Sequence, residues 1–404
     1  MYHYIEVIVV KALLQPVALG IYFLTFATGV VGALLLPTLS IFFAEEVGVS
    51  PFWVGVPYAG IAVGSIIYNH LIGEWSDSLR DRRALVVGLC AVGIVGALVF
   101  AYSRHYWLTS LSAIFLLSLA MVSFSQILAY SLEYAESHLP LERIALFNAA
   151  VRAQIAFAWV AGPPAGFLIV SHFGFTRLYL VAAGLFAAVA VISPKLLPAL
   201  KLDPLQTEQP KTKVRLLTGL DRKARVSLLY CSLAFSVFWC VNNAYLISLP
   251  LHLTRNLGIE TGWIGWIMGA AAGLEVPVML LAGVLASRIN PLVLVRASGI
   301  AALILYVGVY FATSLWQLFA LQFANAIFIG VLAGIGVSVV QTMLPGRAGS
   351  ASALYTNTTH VGTLLSSALV GGVAELFGYQ SVFVANIFLV VLALLLFAAV
   401  TTER

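Results

Sequence analysis

The sequence predicts an all-α membrane protein that crosses the bilayer twelve times. Two observations carry that reading. Hydrophobic residues make up 61% of the 404 and charged residues only 9%, against about 25% charged in a typical soluble protein. That much apolar surface cannot be hidden in one aqueous core, so lipid must solvate most of it. The apolar residues also gather into twelve runs of the length a bilayer demands, about 20 residues for a hydrocarbon core of ~30 Å. In hydrocarbon every backbone N–H and C=O must find its partner within the chain, which makes each run a helix.

The runs lie near 14–43, 52–73, 84–102, 106–131, 144–171 and 175–197, then near 226–251, 261–286, 291–312, 315–342, 348–376 and 379–400. One long polar stretch interrupts them, holding Lys201, Lys211, Lys213, Arg215, Arg222, Lys223 and Arg225 with Asp203, Glu208 and Asp221. The expected organisation is a six-helix bundle over 1–197, a linker over 198–225 and a second six-helix bundle over 226–404. The first run continues into a span with no cleavage-site pattern, so no cleaved signal peptide is expected.

Basic residues orient the spans. With both termini on the cytoplasmic side, Lys11, Arg80, Arg82, Arg83, Arg143, Lys195, the seven basic linker residues, Arg288, Arg296, Arg347 and Arg404 fall inside. Outside fall Arg104, Arg177 and Arg255, and Arg152 stays within a span. The net charge of +5 is therefore read as topology, with no nucleic-acid partner. Cys90, Cys231 and Cys240 sit in apolar runs without metal-ligand spacing, so neither a metal nor another cofactor is expected. No HExxH, GxSxG or Walker loop appears, so the chain is not expected to be an enzyme. The linker is too short for a signalling domain.

The halves repeat each other faintly. Val54-Gly55 matches Ile264-Gly265 and Gly73 matches Gly283, each 210 residues apart. Arg143 matches Arg347 and Gly174 matches Gly378, each 204 apart. Two pseudo-symmetric bundles suit alternating access about a central polar chamber.

Between the second and third spans runs Gly73-Glu-Trp-Ser-Asp77-Ser-Leu-Arg80-Asp81-Arg82-Arg83. Gly73 is suited to close helix approach, Asp77 to a neighbouring helix N-terminus, and the arginines to carboxylates at the cytoplasmic rim. This stretch resembles the loop signature of the major facilitator superfamily, with Arg80 where the family has its second glycine. The resemblance implies the major facilitator fold and a gating role for Gly73, Asp77, Arg82 and Arg83. For the arginines alone, a topology signal explains as much. In the second half Ser287 replaces Asp77, so that latch reads as degenerate.

In the fifth span Gly162-Pro163-Pro164-Ala165-Gly166 resembles the Gly-Pro signature of major facilitator antiporters, implying a kinked helix that a partner packs against closely. A kink unrelated to transport direction is the plain alternative. Pro37-Thr-Leu-Ser40 with Glu46-Val47, Val151-Arg152-Ala153-Gln154 running into Trp159 and Gly162, and Ala272-Gly273-Leu274-Glu275-Val276-Pro277 are together similar to the bacterial sugar efflux transporters. That resemblance implies a monomeric, multi-pass carrier of the bacterial cytoplasmic (inner) membrane. It would export small sugars or glycosides of the lactose or glucose kind in exchange for protons.

Ionisable groups deep in spans are candidates for function. Arg152 in the fifth span and Glu275 in the eighth lie about 14 and 20 Å from the cytoplasmic rim at 1.5 Å per residue. They are expected to form an ion pair whose opening lets Glu275 take up a proton, with a permanent structural pair as the alternative. By the repeat they map onto Thr356 and Ser65, small polar residues expected at the opposite half of the interface.

A sugar hydroxyl both donates and accepts, as Asn and Gln amides do, and its C–H face suits an aromatic ring. Helical spacing groups Tyr22 with Phe26, Gln126 with Tyr130, Trp239 with Asn242 and Asn243, and Gln322 with Asn325. Asn357 shares a face with His360, and Asn148 and Trp159 share one with Arg152. Tyr22, Phe26, Gln126, Arg152, Trp239, Asn242, Asn243, Gln322, Asn325, Asn357 and His360 are therefore the expected substrate contacts. For any one amide, helix–helix hydrogen bonding is an equal reading. His360 is either a proton carrier or a neutral hydrogen-bonding group. A multidrug/proton antiporter of the same fold is the alternative function. Against it, residues 14–43 hold no acidic side chain, which many drug exporters carry there.

Overall fold

The computed structural model describes residues 15–76, 79, 81–198, 221–345 and 347–400. Asp77, Arg80 and the polar stretch 199–220 lie outside them. Among the described residues the chain is helical almost throughout. α1 is Pro16–Ile41, prolonged by a π-turn, Phe42–Glu46. α2 is Pro51–Ser76, α3 Arg82–Tyr102 and α4 Tyr106–His138, the last with a π-turn at Ser112–Leu117.

Leu141–Leu196 is a run of 56 residues, about 84 Å at 1.5 Å per residue and so two spans long. It breaks at Gly174, where φ is 78° and ψ 172°, a conformation open to glycine at little steric cost. α5 is therefore 141–173 and α6 is 175–196. The second half gives α7 Arg222–Arg255, α8 Thr261–Ala286, α9 Pro291–Phe311, α10 Leu315–Met343, α11 Ala348–Phe377 and α12 Tyr379–Ala398.

Caps explain several boundaries. Asp81 accepts from the Arg83 amide at 2.9 Å to open α3, and Asn290 accepts from Leu292 N at 2.9 Å to open α9. Asp221 accepts from Ala224 N at 2.7 Å. This cap starts α7 at Arg222, inside the stretch expected to be linker, so that boundary moves four residues earlier than the apolar run suggested.

The repeat is written in the backbone. Val47 N bonds Phe42 O at 3.0 Å and Val49 N bonds Phe43 O at 3.1 Å. The same bonds recur 210 residues on, Leu257 N to His252 O at 3.3 Å and Ile259 N to Leu253 O at 2.9 Å. Between each pair sits a left-handed glycine, Gly48 at φ 76° and Gly258 at φ 64°. Gly174 likewise finds its counterpart in Gly378, at φ 81° and ψ 164° between α11 and α12. The offset falls from 210 to 204, and most of the fall lies across α4, which at 33 residues is longer than the 29 of α10.

The chain divides into two compact units. Among the described residues one comprises 15–39 with 63–198, the other 40–62 with 221–400. The tip of the α1–α2 hairpin thus belongs to the unit built by the second half. Small residues allow the close packing inside each unit. In the first, a Cβ on Gly166 would lie 3.2 Å from Leu34 O, and one on Gly162 would collide with Ala33, so α5 lies directly on α1. In the second, a Cβ on Gly330 would lie 2.9 Å from Val278 Cγ1, and one on Gly334 2.8 Å from Met279 Cγ. These two glycines, one turn apart on α10, seat the segment of α8 that bears Glu275. Cys90, Cys231 and Cys240 are free and buried.

Candidate functional site

In the first unit the polar residues gather where α2, α3 and α4 meet. Arg82, 6% exposed, donates from Nε to Glu133 Oε1 at 2.7 Å. Its Nη1 donates to Gln126 Oε1 at 2.9 Å and also to Ser76 Oγ. Gln126, expected as a substrate contact, and Arg82, expected at the cytoplasmic gate, therefore share one buried network. Arg83 folds back on Asp81 through Nε and Nη2, the latter 2.7 Å from Oδ2, and donates from Nη1 to Leu197 O at 3.1 Å. That guanidinium holds the Asp81 carboxyl below its ordinary range. Tyr130 donates to Pro198 O at 2.7 Å. Arg83 and Tyr130 together pin the chain where α6 ends.

One sequence expectation changes here. A Cβ on Gly73 would meet nothing within 4 Å among the described residues, so no close helix approach depends on it. The backbone keeps helical dihedrals through Pro163 and Pro164. What the Gly162–Gly166 motif supplies is the close seat on α1. Asp77 lies outside the described residues.

On α1, Tyr22 and Phe26 are half-buried. The Tyr22 ring lies 5.5 Å from that of Phe147, and its hydroxyl is enclosed without a hydrogen-bond partner. A ligand hydroxyl is one group that can satisfy it. Arg152 on α5 is exposed at the surface of this unit, with Asn148 and Trp159 half-buried.

In the second unit Gln322 is fully buried and Asn325 is 7% exposed. Gln322 Oε1 accepts from Tyr245 OH at 3.1 Å and from Asn325 Nδ2 at 3.1 Å, while its Nε2 donates to Leu318 O at 2.7 Å. Gln322 is thus spent on the bundle's interior, whereas Asn325 keeps an unpartnered buried Oδ1. Tyr245 was missed by sequence reasoning. It stands three residues beyond Asn242, so the spacing used for the other pairs reaches it. Asn386 on α12, also missed, donates to Val241 O at 3.2 Å.

Trp239, Asn242, Asn243, Glu275 and His360 are half-buried, and Asn357 and Thr356 are exposed. Asn243 Nδ2 donates to Trp239 O at 2.8 Å, one turn back on α7. The Trp239 ring lies 6.4 Å from that of Tyr355, at 69°.

A further cluster in this unit holds the hairpin tip 40–62. Arg255 Nη2 donates to Ala44 O at 2.7 Å, and its guanidinium lies 5.9 Å from the Tyr379 ring. Thr254 donates to Glu45 Oε1 at 3.1 Å, and Glu375 accepts from Phe52 N at 2.9 Å, satisfying an orphan amide at the start of α2.

Among the described residues, twelve apolar helices in a repeated pattern, with polar groups enclosed in both units, define a multi-pass membrane protein of the transporter type. The family model described as Major Facilitator Superfamily matches residues 21–315 and 231–404, and the chain belongs to that superfamily. Sugar efflux transporter A of Dickeya chrysanthemi is 40% identical over 366 residues, 90% of each chain. Sugar efflux transporter A of Escherichia coli K12 is 36% identical over 375 residues, 93% of this chain and 94% of the relative. Among solved structures, a point mutant of the nucleoside transporter NupG aligns with a TM-score of 0.80 at 14% identity, covering 96% of this chain and 100% of its own. That last likeness concerns the fold alone.

Proposed function

We propose that this protein is a secondary active exporter of small sugars or glycosides in the bacterial inner membrane, with both termini cytoplasmic. The observation that supports this most is the similarity, over nine-tenths of both chains, to a protein named as a sugar efflux transporter. The site chemistry agrees with a neutral polyhydroxylated cargo. Tyr22 offers an unpartnered hydroxyl and Asn325 an unpartnered amide oxygen, while Trp239 offers an indole plane beside Asn242 and Asn243. Each is a group that a sugar hydroxyl or its C–H face satisfies.

Proton antiport is the coupling we assign, with Glu275 as the group that takes up the proton and Arg152 as the charge that answers it. An ionisable group within a membrane-spanning helix is a candidate for function by default, and its charge state is suited to follow the transport cycle. Proteoliposome flux of labelled lactose and glucose, with and without an imposed pH gradient, tests the reading. Gradient-driven movement of either sugar is expected, and it should vanish in Glu275→Gln. Drug-driven but sugar-independent proton flux would instead favour a multidrug antiporter.

A further inference from the structure

Trp239 does not stand alone on α7. Two residues of α11, seven apart and so two turns along one face, enclose it. At one end Gly362 brings the helices together: a Cβ there would lie 2.5 Å from Trp239 Cβ and 2.8 Å from both Cys240 N and Ser236 O. At the other, Tyr355 sets its ring edge-to-face with the indole. The tyrosine is itself fixed. Its hydroxyl donates to Leu332 O on α10 at 2.6 Å, and its ring lies 5.1 Å from Phe235 at 85°. It fits only because α10 carries Gly336, where a Cβ would lie 2.7 Å from Tyr355 Cε2.

The repeat supplies an internal control. The offsets of 210 and 204 map Trp239 onto Gly29, Gly362 onto Ala158 and Tyr355 onto Val151. The close approach is present in the first unit too, where a Cβ on Gly29 would lie 2.9 Å from Ala158 Cβ. There the same close approach is made by a glycine and an alanine, and a valine stands at the position of Tyr355. The aromatic pair is therefore not what the fold needs to join these two helices. It is an addition made in one half, and the addition presents a held indole beside the α7 amides.

We infer that Tyr355 is a positioning residue for substrate: tethered to α10 through Leu332 O, it fixes the plane of the Trp239 indole against which a sugar's C–H face packs. This rests on the sugar-export reading above and adds to it which residue sets the aromatic platform. Aromatic contact is directional, so a ring free to swing loses affinity even when its surface remains.

The test is a double-mutant cycle in proteoliposomes, measuring KM and Vmax for labelled lactose and glucose. Tyr355→Phe keeps the ring and removes the tether, and loss of one such bond raises KM by about three- to tenfold with Vmax within about twofold. Trp239→Ala raises KM by more than about tenfold. Combined with Trp239→Ala, Tyr355→Phe adds nothing further, because its effect runs through the indole. A general packing role would give additive losses and a lowered melting temperature without the KM-specific pattern, and would overturn the inference. So would an unchanged KM in Tyr355→Phe when Trp239→Ala impairs binding. If Trp239→Ala itself leaves KM unchanged for every sugar transported, the platform and its positioning residue fall together. If no sugar moves in the unsubstituted protein, it is the sugar-export reading that fails.

Discussion

Arg82 and Glu133 form an ion pair of 2.7 Å in which both side chains are largely withdrawn from solvent, at 6% and 18% exposure. The pair is completed by Gln126 and Ser76, so the guanidinium has a partner on α2 as well as two on α4. Removing Glu133 takes a close counter-charge from the buried guanidinium. Glu133→Ala should therefore destabilise by about 3–5 kcal/mol, and the Arg82→Met, Glu133→Leu double variant should recover much of that loss. Thermal melting of the detergent-solubilised protein reads both, and a double variant no better than Glu133→Ala would refute the account.

Gly162→Ala should cost about 1–3 kcal/mol by forcing α5 off Ala33. Gly166→Ala, whose Cβ would stop 3.2 Å from Leu34 O, should cost less. Gly184→Ala on α6, with nothing within 4 Å of the added carbon, should be neutral or slightly stabilising. The order of the three melting temperatures is the measurement.

At Gly174 and Gly378 the strain is in the backbone. Each is left-handed, with open space around a would-be Cβ, so alanine meets no neighbour and suffers only the dihedral penalty. Gly174→Ala and Gly378→Ala should each cost about 1–3 kcal/mol, and asparagine should rescue neither, because ψ of 172° and 164° lies far from the left-handed helical well that asparagine tolerates. Equal penalties at the two sites are expected from the repeat, and a difference above about that size would separate them.

Asp81 gives a pH signature. Its carboxyl is depressed by Arg83, so its stabilisation is fully present above the unfolded value of about 3.9 and is lost as pH falls through the lower folded value. At 37% exposure the pair is screened, and it is worth under about 1 kcal/mol. The melting temperature of Asp81→Asn should lie closest to that of the unsubstituted protein below about pH 3.9 and fall behind it toward neutrality.

Around the hairpin tip, Arg255→Ala and Glu375→Ala each remove a bond to the backbone of 40–62. Deuterium uptake in peptides covering residues 42–58 should rise several-fold in either variant, while α9 stays as protected as before. No change in those peptides would show that the bonds contribute nothing to holding the tip.

How much of this was legible in the chain depends on the range of the interaction. Helix positions follow from apolar length, and the turn at Gly174 follows from a span-length limit, so both were readable. So was the pairing of Gly174 with Gly378. The partner of Gln126 was not, because Arg82 lies 44 residues away and helical spacing says nothing about how two helices rotate against each other. Gln322 illustrates the same limit: its place on α10 was foreseen, but not that Tyr245 would consume its oxygen. Segment 40–62 meets the second unit through Arg255, Thr254 and Glu375 and through Gly55 against Gly371, each more than 200 residues along. Gly73 shows the converse error, where a motif's usual role was assigned before its neighbours were known.

The three thiols bear on how this protein can be studied. Cys90 and Cys231 are fully enclosed and Cys240 is 3% exposed, so a maleimide finds almost nothing to alkylate in the natural chain. A reporter cysteine placed at an exposed position such as Asn357 or Arg152 would be the dominant label without prior removal of the native ones. Fluorescence or spin-probe work could then begin from the unmodified background.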